Sequence, residues 1–499
     1  MRPRSYPLAH RGETPAVEPG RQPATVPPAM SDPVPPPPSP RPATPGAAAG
    51  AADDAPGDPP RSGRAAGVPG EPAAPIGAPS APPSPPPANG SGDGPYEPPQ
   101  EWARVTRRRR LATALVGLVV VAALVLSLVM VRGASSGDDD RGDAPPTTEP
   151  APATQAEVEE VVTEISAFVA EQRGVPFLEP VDVELEGEGA FQDRLLADFD
   201  EDADQLRTTE VFLEGLGLVD PDVDLVESMR SLLGGGVVGF YDPETHELVV
   251  RGAALTPYVR TTIAHELVHA LDDQHHDLDR PEYDEADDEI GFGFSAVVEG
   301  NARRVEDAYR SSLSDEEQQD ATAEEMSLGG DMELGDIPLV LIDLITAPYS
   351  LGQDLVEGVA EAGGEPAVDA AFADPPRTSE QVLDPARYAA REPAVVVPRP
   401  QVAGEVVDEG VVGELLVLLV LADDLGVDDA RTAAAGWGGD WGVAWRDGDR
   451  SCVTANLVGD DQGQTDQMRA AFERWAGEHD ATITPGAPGQ PFTVESCSA

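Results

Sequence analysis

The stretch TTIAHELVHALDDQ, Thr261 to Gln274, decides how this chain is read. His265 and His269 stand four residues apart, so on a 3.6-residue helix their imidazoles leave one face one turn apart, the spacing that a bound zinc ion requires. Glu266 lies about 100° round the helix from His265, near enough to reach a water held by such an ion and poorly aimed to ligate the ion itself. It reads as a general base. The helical setting is written upstream: Thr256 suits an N-cap, Pro257 suits the first helical position, and Ile263, Leu267, Val268 and Leu271 supply apolar packing.

A catalytic zinc site takes three protein ligands and leaves a fourth position to water, so one donor is still owed. His275 is one candidate, six residues past His269 as in enzymes with the pattern HExxHxxGxxH, but Asp272 stands where that pattern has glycine. On an unbroken helix His275 falls about 80° off the ligand face and about 9 Å beyond His269. The other candidate is Glu299 in FSAVVEGNARRVEDAYR, a helical run whose Phe294, Val297, Val298 and Val305 make an apolar setting in which a carboxylate needs a partner.

HELVHALDDQ followed by VVEGNA resembles the gluzincin zinc metallopeptidases, the thermolysin-like HExxH enzymes that take a glutamate from a second helix. The resemblance implies an α+β, zincin-like fold, with a small sheet, the HExxH helix and a third-ligand helix. It also implies one catalytic Zn2+ held by His265, His269 and Glu299, favouring Glu299 over His275. The aspartate that such enzymes often carry four residues after the third ligand is here Arg303, so another acid must orient the imidazoles. Asp272 and Asp273 are the local candidates. By analogy with the tyrosine of thermolysin-like sites, Tyr349 is a candidate oxyanion donor.

Outward from this core, the blocks PYSLGQDLV, PPRTSEQVLDPARY (Pro375 to Tyr388) and AAAGWGGDWGVAW (Ala433 to Trp445) are similar to those of a little-described bacterial group of HExxH proteins, over roughly residues 156 to 480. Asp384 occupies a place where that group's block carries histidine. GGGVVGFYDPETHELVVRG is a hairpin, with strands near Val237 to Tyr241 and Glu247 to Val250. In zincin-like enzymes a strand in that place offers its edge to an extended peptide. His246 at the turn reads as exposed.

Ahead of this region, the first hundred residues hold thirty of the chain's 52 prolines and cannot bury a core. ARVTRRRR then precedes Leu111 to Val131, an uncharged run of roughly 30 Å as a helix, which is the thickness of a bilayer core. Four arginines before it, against Arg132 and three aspartates after it, put the N-terminus in the cytoplasm and the C-terminal bulk outside. The expected organisation is a disordered tail at 1–104, a basic flank and transmembrane helix at 105–132, a stalk at 133–155 and an ectodomain at 156–499. Residues from about 400 onward are a candidate C-terminal appendage.

Residues 1 to 134 carry 13 basic and 10 acidic side chains, which leaves 20 basic and 81 acidic after them, a charge near −61. Such a surface repels nucleic acid, so the expected partner is a peptide or protein substrate. The chain has no lysine, which excludes Schiff-base chemistry and a lysine-dependent phosphate loop. Cys452 and Cys497 are its two cysteines, and an even count outside the cell fits one disulfide tying a Trp-rich hairpin to a closing strand near FTVES.

Other acid-rich runs carry less. Asp198, Asp200, Asp202 and Asp204 alternate as in a calcium loop, but Ala203 and Thr209 stand where glycine and glutamate are needed, so a solvated helix face is the better reading. RPEYDEADDEIG remains a candidate Ca2+ loop. IPLVLIDLITAPYSLGQDLV reads as core, too short and too charged to span a membrane. The sequence thus predicts a membrane-anchored zinc peptidase acting outside the cytoplasm, with a catalytically silent cell-surface binding protein as the alternative.

Overall fold

The computed structural model describes residues 151–498, apart from positions 198, 285, 287, 288 and 332–336. The expected tail, the expected transmembrane helix at Leu111 to Val131 and most of the expected stalk lie outside the described residues. Within them the chain is a mixture of helices and two sheets.

Helix α1 (Gln155–Arg173) opens on a reciprocal capping box between Thr154 and Glu157 and stops at Gly174, whose φ of 70° suits a residue without a side chain. Strand β1 (Val183–Glu186) follows, then helices Glu188–Leu195, Phe199–Gly215 and Leu225–Gly236. The hairpin expected from GGGVVGFYDPETHELVVRG is present as β2 (Gly239–Asp242) and β3 (Glu247–Arg251). The first sheet has the order β1-β3-β2, with β1 parallel to β3 and β2 antiparallel to it, so β2 is an edge.

Helix α2 (Pro257–His276) carries the HELVH run. Thr256 caps it by accepting the Val259 N–H, and Pro257 occupies its first turn, as the sequence predicts. Helix α3 (Ile290–Ser312) carries Glu299, α4 (Asp315–Asp331) follows it, and α5 (Leu339–Gly363) carries Tyr349. The sequence expectation that the α5 run is too short and too charged to span a bilayer needs correcting. It makes a 25-residue helix, apolar enough to cross one, yet 67% of its most apolar window is buried inside the protein. Val340, Leu341 and Ile345 belong to one core and Leu355 and Val356 to another.

After α6 (Glu365–Ala373) two short helices follow, and Asp384 joins them, accepting the Ala386 N–H as the cap of Pro385–Ala390. The second sheet has the order β4-β5-β6-β8-β7, built from β4 (Glu405–Gly410), β5 (Trp437–Asp447), β6 (Arg450–Gly459), β7 (Ala481–Thr484) and β8 (Phe492–Cys497). Cys452 and Cys497 are opposite one another in the β6–β8 register and are joined in a disulfide. Helix Gly413–Leu425 contributes Leu415 and Leu419 to the core beneath the first sheet, and Val417, Leu418 and Leu421 to the core beneath the second.

α3 and α5 meet without side chains between them. A Cβ on Gly300 would lie 2.1 Å from the Gly352 backbone, and one on Gly352 would lie 2.1 Å from the Ala296 carbonyl oxygen. Only glycine permits this approach.

Candidate metal centre

The helical repeat of α2 and the packing of α3 across it bring His265, His269 and Glu299 together in the interior, each at most 3% exposed. The two imidazole Nε2 atoms are 3.1 Å apart, and the nearer Glu299 oxygen lies 3.4 Å from each. A tetrahedral ion with bonds of roughly 2.0–2.1 Å sets its ligands about 3.3 Å from one another. The three separations fit that figure closely. Among the described residues this is the group that brings three such ligand atoms into one place.

The surrounding hydrogen bonds fix which atoms are free to bind. His265 Nδ1 is 2.9 Å from a Glu306 oxygen, and the other Glu306 oxygen accepts from Arg303 at 2.9 Å. A carboxylate can only accept, so Nδ1 of His265 carries a proton and Nε2 is the nitrogen turned to the cluster. Both Glu299 oxygens, both Glu266 oxygens, His269 Nδ1 and the Tyr349 hydroxyl are buried without a hydrogen-bond partner. So many unpaired polar atoms around one point are costly unless something polar or charged joins them.

Electrostatics favour a cation there. Burial alone would lower the His265 pKa, but Glu299 and Glu306 more than reverse it, to about 10. Burial would likewise raise Glu299, and the two imidazoles instead hold it below its ordinary value. Burial also works against charge on Glu306, yet Arg303 and His265 keep its pKa at about 2. Glu266 has weaker support: burial lifts it to about 7, with the imidazoles restraining the rise.

Edge strand β2 lies against the Glu266 side of α2. A Cβ on Gly239 would meet Thr262 at 2.7 Å and Glu266 at 3.4 Å. Arg251 N–H donates to the Val238 carbonyl, so by antiparallel alternation Gly239 and Tyr241 turn their backbone groups away from β3. The Tyr241 N–H lies toward Glu266 and favours its charged form.

The sequence-derived residues are therefore placed as follows. His265, His269, Glu299, Glu266 and Tyr349 share one buried neighbourhood, with the Tyr349 and His265 rings 6.3 Å apart and stacked. α2 continues unbroken to His276, so His275 projects elsewhere, and its Nε2 bonds the Pro176 carbonyl. Neither Asp272 nor Asp273 bonds the His265 or His269 imidazole, contrary to expectation. Asp272 accepts from Arg173 and Asn301, while Asp273 accepts the Tyr241 hydroxyl proton at 2.8 Å and the Leu278 N–H. His246 is exposed, as expected, but also bonds Tyr241 and Asp273. Glu306 escapes the sequence reading; its one signal is the two-turn spacing from Glu299. The candidate calcium loop falls partly on positions outside the described residues.

No protein-family model, no curated protein and no solved structure matches the chain.

Proposed function

We propose that this chain is a zinc-dependent peptidase of gluzincin-like design, hydrolysing peptide bonds outside the cytoplasm from a single-pass membrane anchor. The observation that carries the reading is the set of 3.1, 3.4 and 3.4 Å separations among His265, His269 and Glu299, beside a buried carboxylate that is not one of the three. Two imidazoles and one carboxylate are a donor set suited to zinc with a position left open. Once bound, the ion would supply Lewis acidity, bringing a coordinated water toward neutrality in pKa and polarising the scissile carbonyl.

The chain's own residues supply the rest. Glu266, with a pKa near neutrality, takes a proton from the attacking water as its oxygen bonds to the carbonyl carbon. It returns that proton to the leaving nitrogen as the carbon–nitrogen bond breaks, so one water yields one carboxylic acid and one amine. Tyr349, its hydroxyl otherwise unpartnered, donates to the developing oxyanion. The free edge of β2, on the Glu266 side of α2, is where an extended peptide would pair.

Full burial of the centre favours a second reading, a metal-stabilised cell-surface binding protein that does not turn over peptide. Glu266 speaks against it, since a structural ion needs no base. Zinc content and cleavage of a broad peptide library, measured on the purified full chain and on Glu266→Gln, separate the two. The peptidase reading expects both proteins to bind one zinc and only the wild type to cleave. If the wild type holds zinc and cleaves no more than Glu266→Gln does, the binding reading stands in its place.

A further inference from the structure

Arg173 is the last residue of α1 and is wholly buried, 0% exposed. Its guanidinium meets three acids: Asp272 of α2 at 3.0 Å, Asp369 of α6 at 2.9 Å, and Glu365 at the start of α6. Asp272 is itself 1% exposed, and its second oxygen accepts from Asn301 of α3, which is also fully buried. Asp272 stands three residues after the ligand His269, and Asn301 two residues after the ligand Glu299. One hydrogen bond therefore joins the two ligand-bearing helices within a turn of the donors they supply, and Arg173 holds the charge that makes it possible.

We propose that Arg173 is a positioning residue of the metal centre: by neutralising the buried Asp272 carboxylate it keeps Asp272 bonded to Asn301, and so fixes the helix of Glu299 against the helix of His265 and His269. The proposal rests on the metal-centre reading above. Its physical basis is that a buried carboxylate stripped of its cation turns toward water or a new partner, and either pulls Asp272 away from Asn301. Helix α1 thereby becomes part of the site, although no residue of it touches a ligand atom. Undocking α1 would therefore loosen the centre.

The test is zinc affinity of the full chain, by competition with a fluorescent zinc chelator, alongside the thermal midpoint of each metal-free variant. Arg173→Met, which acts through Asp272 and Asn301 rather than on a ligand, is expected to weaken zinc binding by up to about 10-fold, the lower end of the range seen when direct partners of metal ligands are removed. Adding Asp272→Asn to Arg173→Met removes the stranded charge while an amide can still accept from Asn301, so the double variant should recover most of the loss. A merely structural role would move the thermal midpoint without this pattern in affinity. Zinc affinity of Arg173→Met within about two-fold of wild type, or a double variant no better than the single, overturns the proposal. Should Arg173→Met fail to fold, Asn301→Ala carries the test: it must weaken zinc binding, and unchanged affinity overturns the proposal equally. Wild-type chain that binds no zinc would sink the metal-centre reading itself, which distinguishes that failure from this one.

Discussion

Gly300 of α3 and Gly352 of α5 meet backbone to backbone, each in a place where a single added carbon would lie 2.1 Å from the other helix. Gly300 follows the candidate ligand Glu299, and Gly352 lies three residues after Tyr349, so this contact sets how far the carboxylate stands from the hydroxyl. Gly352→Ala is expected to force the helices apart, lowering stability by about 1–3 kcal/mol or more, as overpacked cores do. Urea unfolding of the metal-free protein measures the loss, and an unchanged midpoint would show that the contact is looser than described.

Glu306→Gln keeps the shape of the side chain that bonds His265 Nδ1 and removes its charge. The His265 ring should then be a poorer donor, with zinc affinity down by roughly 10-fold to 100-fold. Chelator competition reads this directly. Equal affinity in the variant would mean that an accepting oxygen suffices and the charge on Glu306 does not tune the imidazole.

Tyr349→Phe deletes a hydroxyl that has no partner in the structure. If that hydroxyl serves the oxyanion, kcat should fall by about 10²-fold or more with KM little changed, as for other single donors. A parallel rise in KM at constant kcat would place Tyr349 in substrate binding instead.

Glu414, 7% exposed, has its pKa lifted by burial to about 8, from an ordinary 4.5. A folded-state value above the unfolded one means that the folded chain holds the proton more tightly. This stabilisation is complete below pH 4.5 and is lost as pH climbs through about 8. Glu414→Gln should therefore raise the thermal midpoint at pH 8, by about 2–4 °C for each kcal/mol recovered, and leave it nearly unchanged at pH 4. Melting curves at the two pH values check the sign; stabilisation at acid pH alone would refute it.

The candidate triad was legible because two local signals carry it. The four-residue histidine spacing is fixed by the helix repeat, and Glu299 stands out as an acid among Val297, Val298 and Val305. The layer behind the triad was not legible, because its partners come from far along the chain. Asp272 is answered by Arg173, 99 residues earlier, and Asp273 by Tyr241, 32 residues earlier. No periodicity encodes such pairings. The same limit explains the second sheet, whose hairpin, helix and closing strand are readable in turn. Its order, with β8 placed between β6 and β7, is a tertiary fact that the two cysteines alone foreshadow.

Exclusion of bulk water from the donor cluster also has a kinetic side. An ion held among groups with at most 3% of their surface open could not be traded for another until the walls part. Its residence time is then governed by how often the fold breathes rather than by bond strength alone. Stripping by a chelator should accordingly reach a plateau rate that further chelator does not increase, and that plateau would clock the opening motion itself.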